Sequence, residues 1–160
     1  MLKKRSLKRI FQEEHHLPAT YNTELESYLK KYDGKKGYRF SGVIMKDQVK
    51  KLNISDKMFC IVNYDKSYQT GSHWVAVVKE GNNVYHFGSY GISPLREVQA
   101  KFSKYDIYYN DRAVQLSDSS ICGHLCIAFI EYLLSNKTFK EFILDCLKYS
   151  NRYKINVLNK

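Results

Sequence analysis

The stretch "HWVAVVKEGNNVYHFGSYG", His73 to Gly91, decides the fold class. "HWVAVVKE", His73 to Glu80, reads as a strand rich in β-branched residues. Gly81-Asn82 is a two-residue turn signal, because both residues tolerate the positive φ of tight hairpins. A second strand follows in "NVYHFGSYG". Two strands joined this way pair antiparallel, with Glu80 opposite Asn83. Counting down that ladder sets His73 opposite Tyr90. Alternation then places position 88 on the face of His73, as its diagonal neighbour.

Working outward, "MFCIVNYD" (Met58 to Asp65) reads as another strand and "KSYQTGS" as a loop. "YNTELESYLKKY", residues 21–32, predicts a short helix capped by Asn22 or Thr23. "YRFSGVIMKDQVKKL" is mixed and assigned to neither class. Downstream, "YDIYYND" predicts a short strand. The run over 121–134 is apolar on all sides and therefore a central helix. Phe139, Phe142, Ile143, Cys146 and Leu147 recur at helical spacing, which predicts an amphipathic helix. Helices at both ends around a hairpin sheet give an α+β domain. The chain divides into a basic N-terminal segment, 1–20, and a single domain, 21–160.

With 160 residues and 44% apolar content, including 14 Tyr and 8 Phe, the chain can bury a substantial core. That excludes a disordered protein. No apolar run approaches the length of a membrane span, so no membrane partner is expected. Cys60, Cys122, Cys126 and Cys146 are then expected as thiols in a reducing compartment. A net charge of +10 favours an acidic partner such as nucleic acid. The cations cluster at Lys3, Lys4, Arg5, Lys8 and Arg9, and again at Lys30, Lys31, Lys35, Lys36 and Arg39. A solvated surface with a mobile terminus accounts for the same pattern.

In "QLSDSSICGHLCIAFIEYLL", Gln115 to Leu134, a thiol and a glycine stand where polar loop turns into apolar helix. A helix N-terminus offers unpaired N–H groups and partial positive charge, which favour a thiolate at Cys122. Ser119 and Ser120 are candidate caps, and Gly123 admits a close substrate backbone. "CGHLC" is not a metal site: positions i and i+2 on a helix point about 200° apart, so His124 cannot join Cys122 and Cys126. A thiolate nucleophile needs a histidine base. His15 and His16 lie in a polar segment, and His86 is as compatible with packing as with function. His73 follows a loop, starts a strand and precedes Trp74, the kind of position at which sites are built.

The order His73-Trp74, "FGSYG" (Phe87 to Gly91), then Gln115, six residues and Cys122-Gly123 resembles the adenovirus proteinase (adenain) group. "RFSGVIMKDQV" and "MFCIVNYDKSYQTGSHWV" also look like the related proteases of Polinton-type elements and virophages. The group belongs to the clan that contains the SUMO-specific proteases, and the resemblance covers roughly residues 20–135. It implies a papain-like cysteine peptidase fold in permuted order, with a mixed or antiparallel central sheet against helices. Cys122 would be the nucleophile and His73 the base, later the acid for the leaving amine. Gln115 and the Cys122 N–H would form the oxyanion hole, and Trp74 would wall a narrow cleft suited to glycine. No cofactor is implied, although DNA raises activity in the adenovirus relatives. Gly88 is the departure: relatives carry Asp or Glu there, so the acid of the triad is absent.

The expected function is a viral or transposon-type endopeptidase that processes precursor capsid or core proteins at glycine-containing sites. Its location would be the virion and the host cell interior, nucleus or cytoplasmic virus factory, with viral DNA a partner for the basic surface. The alternatives are a processing protease for SUMO or ubiquitin, and a catalytically weakened DNA-binding relative.

Overall fold

A computed structural model of the chain describes residues 2–66, 73–116 and 119–150. Its centre is a five-stranded sheet in the order β1-β2-β3-β4-β5. The strands are β1 (Arg39–Met45), β2 (Lys57–Asn63), β3 (Trp74–Glu80), β4 (Asn83–Gly88) and β5 (Asp106–Tyr109). The pairs β2–β3 and β3–β4 are antiparallel, while β1–β2 and β4–β5 are parallel, so the sheet is mixed. The β3–β4 hairpin has the register that its turn dictates, with Glu80 opposite Asn83 and Val75 opposite Gly88.

Both faces of the hairpin are covered, which is why "WVAVV" is an unbroken apolar run. Trp74, Ala76, Val78 and Phe87 join one core with helix α4 (Cys122–Leu134) and helix α5 (Phe139–Tyr149). Val75, Val77 and Val84 join a second core with Val49, Val98 and Phe102. Val98 sits on the short helix α3 (Arg96–Lys101), part of the crossover that parallel β4–β5 pairing requires. Ten of the 13 residues of α4 are buried, so this helix is central, as its composition implies.

The N-terminal segment is folded onto the domain. Leu7, Ile10 and Phe11 of helix α1 (Leu7–Gln12) are buried against α4 and α5, and Ser6 caps the helix by accepting the Arg9 N–H at 3.2 Å. Its cations Lys3, Lys4, Lys8 and Arg9 stay exposed. Helix α2 (Asn22–Leu29) starts at a Tyr21 N-cap rather than at Asn22 or Thr23. Glu24 takes the cap role by accepting the Tyr21 N–H at 3.0 Å, while Asn22 Oδ1 is spent on the Thr23 N–H. The unassigned stretch 38–52 becomes β1 and a 3₁₀ segment, Lys46–Lys51. The expected loop over 66–72 lies outside the described residues except for Lys66. Among the described residues no helix is long and apolar enough to cross a membrane.

Candidate active site

Helix α4 begins at Cys122, and its first turn grips the first residue of β3. The backbone N–H groups of Trp74, Gly123 and Cys122 lie near enough to the Cys122 sulfur to favour its charged form. One turn on, Cys126 Sγ donates to the Trp74 carbonyl at 3.4 Å. Two thiols spaced i, i+4 thus face the backbone of one residue, Trp74, which follows His73 directly. Ser119 and Ser120 do not cap the helix. Ile121, fully buried, occupies the N-cap, and the Ser119 hydroxyl donates instead to Leu116 O at 3.2 Å.

Cys122 is buried, and burial pushes its thiol pKa up although the three N–H groups pull it down. The thiolate expected from helix position alone is therefore not the resting species; desolvation outweighs the helix end. His73 is 6% exposed and burial lowers its pKa to about 4, so the imidazole is neutral at pH 7. Both groups are therefore neutral at rest, one a thiol and the other an imidazole.

Two tyrosines hold the His73 ring. Tyr90 stacks on it at 4.4 Å between centroids and 27°, and Tyr64 meets it edge-on at 4.9 Å and 84°. An imidazolium formed there would lie over the face of Tyr90, which favours the charged form. Burial raises the pKa of the Tyr90 hydroxyl, and charge on the Cys122 sulfur would raise it further.

The remaining residues of "FGSYG" tie Gln115 into the same site. Gly91 lies at φ +68°, and a Cβ there would overlap the Arg112–Ala113 peptide, so only glycine fits. This close approach lets Ser89 O accept the Val114 N–H at 2.8 Å. The Ser89 hydroxyl then donates to Gln115 Oε1 at 2.5 Å, and Gln115 Nε2 donates to Ser119 O at 2.7 Å. An amide nitrogen carries two protons, so one N–H of Gln115 remains to be given.

Two of the expected cleft residues face inward. The Trp74 indole N–H donates to Thr20 O at 3.3 Å and the side chain is 6% exposed. A Cβ on Gly123 would overlap Thr20 Oγ1, so this glycine makes room for the N-terminal segment rather than for a substrate backbone. His124 points the same way, with Nε2 3.4 Å from Pro18 O. Glu14 adds a further tie by accepting the Leu116 N–H at 3.0 Å. Gly88, where the acid is absent, is held through its backbone: Asn110 accepts its N–H at 3.2 Å and donates to its carbonyl at 2.7 Å. Sequence reasoning missed Tyr64, Ser89, Asn110 and Thr20. Tyr90 was visible in it only as the partner opposite His73.

No protein-family model matches the chain. Over 102 residues, 56% of this chain, it is 29% identical to "Putative thiol protease R355" of Acanthamoeba polyphaga mimivirus, and it spans 34% of that protein's length. The ASFV pS273R protease superposes with a TM-score of 0.55 at 18% identity, covering 78% of this chain and 61% of that one. The SUMO protease Ulp1 superposes with a TM-score of 0.50 at 14% identity, over 89% of this chain and 80% of its own. This is a cysteine-protease fold. Within it, α4 supplies a thiol at its first residue and the β3–β4 hairpin supplies the histidine.

Proposed function

We propose that the chain is a viral cysteine endopeptidase with Cys122 as nucleophile and His73 as base. One observation carries the reading: on a cysteine-protease fold, the helix that opens with Cys122 packs against the first residue of β3, next to His73, with Cys126 Sγ donating to Trp74 O at 3.4 Å. Attack by sulfur on a peptide carbonyl sends the thiol proton to His73 and charge to the carbonyl oxygen. The free N–H of Gln115 and the backbone N–H of Cys122 receive that charge. His73 then protonates the leaving amine, and water releases the acyl group from sulfur with His73 as base again. No cofactor enters this sequence of steps.

The substrates would be precursor structural proteins cut at glycine-containing sites, because little space remains beside so deeply buried a pair. The exposed cations Lys30, Lys31, Lys35, Lys36 and Arg39 would suit contact with viral DNA, in the virion or in the infected cell. The test is incubation with a peptide library rich in Gly-Gly and Gly-Ala, with cleavage mapped by mass spectrometry. Cuts beside glycine that vanish in Cys122→Ala support the reading; no cut, or cuts that survive in Cys122→Ala, refute it.

Gly88 favours a second reading, a catalytically weakened DNA-binding relative. Duplex binding whose affinity falls steeply with salt, in a protein with no His73-dependent thiol reactivity, would select it.

A further inference from the structure

Gly88 lies on the sheet face that carries His73, where a carboxylate would orient the base. A Cβ there would lie 3.3 Å from Val75 Cγ1, a tight contact that a small shift of that methyl relieves, and 3.8 Å from His86 Cε1. The polar group bordering this space is thus His86, two residues earlier on β4 and on the same face. His86 is fully buried, and neither of its ring nitrogens has a hydrogen-bond partner among the described residues. The same is true of both nitrogens of His73. Along this face Gly88 stands between His86, two residues before it, and His73, diagonal to it across the hairpin. Val75, Val77 and Val84 supply apolar walls.

Each neutral imidazole has one donor and one acceptor. Leaving such groups unpaired in a buried site is unfavourable, because they give up water without a replacement partner. An enclosed space bordered by several polar groups is where a structural water is held, with two to four partners. We propose that His86 is the positioning residue of this site, orienting His73 through a water shared by the two imidazoles in the space beside Gly88. The inference rests on the peptidase reading above. The water donates to one ring and accepts from the other, which fixes the His73 tautomer with its acceptor nitrogen available to the Cys122 thiol. His86 supplies no negative charge, so it sets geometry and leaves the imidazolium to the tyrosines.

Alkylation of Cys122 by iodoacetamide at pH 7, followed by peptide mass spectrometry, tests this without a known substrate. His86→Phe keeps the ring volume and removes both nitrogens. It should slow Cys122 labelling about tenfold, the scale for groups that orient a functional histidine. Adding Gly88→Asp should return the rate to within about threefold of the parent, because a carboxylate then does the orienting. The ¹⁵N spectrum should show one His73 tautomer in the parent and averaged tautomers in His86→Phe. Should His86→Phe fail to fold, His86→Gln against His86→Leu makes the same comparison, with only Gln retaining the rate. A folded His86→Phe that labels at the parent rate, or slow labelling that Gly88→Asp does not restore, overturns the inference. The peptidase reading fails separately: if His73→Ala leaves Cys122 labelling unchanged, there is no base, and His86 has nothing to orient.

Discussion

At the residue scale, the proposed site sets a few groups in a largely buried interior. With Cys122 and His73 both neutral at rest, the proposed reaction would depend on where charge is received once the thiol proton moves. Gln115 is the side chain best fixed for that task, since Ser89 and Ser119 hold both ends of its amide. Replacing Gln115 by Ala should lower kcat about 10²- to 10³-fold with little change in KM, as for loss of one oxyanion donor. Separate measurement of kcat and KM on a cleaved peptide checks this; a loss confined to KM would make Gln115 a substrate-binding residue. Ser89→Ala should have a smaller effect of the same kind, because the amide is then held at one end only.

At the scale of elements, the hairpin was legible because its information is local. A two-residue turn fixes the register, and the register fixes which residues face His73. Helix α4 was legible as a central helix from its composition, but its first turn was not. The Ser119 and Ser120 caps looked sound locally, yet Ile121 at the N-cap buries a side chain in the core, a tertiary effect no local rule anticipates. The Thr20 partner of Gly123 lies 103 residues away in sequence, so the purpose of that glycine could not be read from "CGHLC". Helix α1 is hard to read from sequence because six residues with five cations in and beside them resemble a tail, although Leu7, Ile10 and Phe11 stand at helical spacing. "FGSYG" was read as a motif, and its packing against 112–115 gives the motif a physical cause. Gly91→Ala should destabilise the fold by about 2–3 kcal/mol, since the new methyl meets backbone that cannot move aside. Gly34→Ala is the contrast: a similar φ of +84° but no neighbour within 4 Å, and hence an expected cost of about 1 kcal/mol from conformation alone. Urea midpoints of the two variants measure the difference; equal costs would mean that Gly91 is required for its dihedral and not for close packing.

At the scale of the whole molecule, the N-terminal segment and the catalytic layer form one unit. Glu14, Pro18 and Thr20 reach the Gln115 loop, α4 and β3 in turn. Burial of histidines gives this unit a pH dependence. His73 and His86 are lowered to about 4 in the folded protein, against about 6.5 in an unfolded chain. Between those values the unfolded chain binds protons that the folded one refuses, so acidification favours unfolding. The thermal midpoint should therefore fall as pH drops from about 6.5 toward 4, and His86→Phe should shrink that fall. A midpoint flat across this window would mean that the two rings are not buried as neutral groups.

Cys122 and His73 are proposed to act as a pair. The most direct test is the intact mass of the protein after incubation with a vinyl sulfone whose peptide part ends in Gly-Gly. The expected result is a single adduct located on Cys122, formed at least about 100-fold more slowly in His73→Ala, within the range that general-base help contributes. No adduct on Cys122, or equal labelling of the parent and His73→Ala, would contradict it.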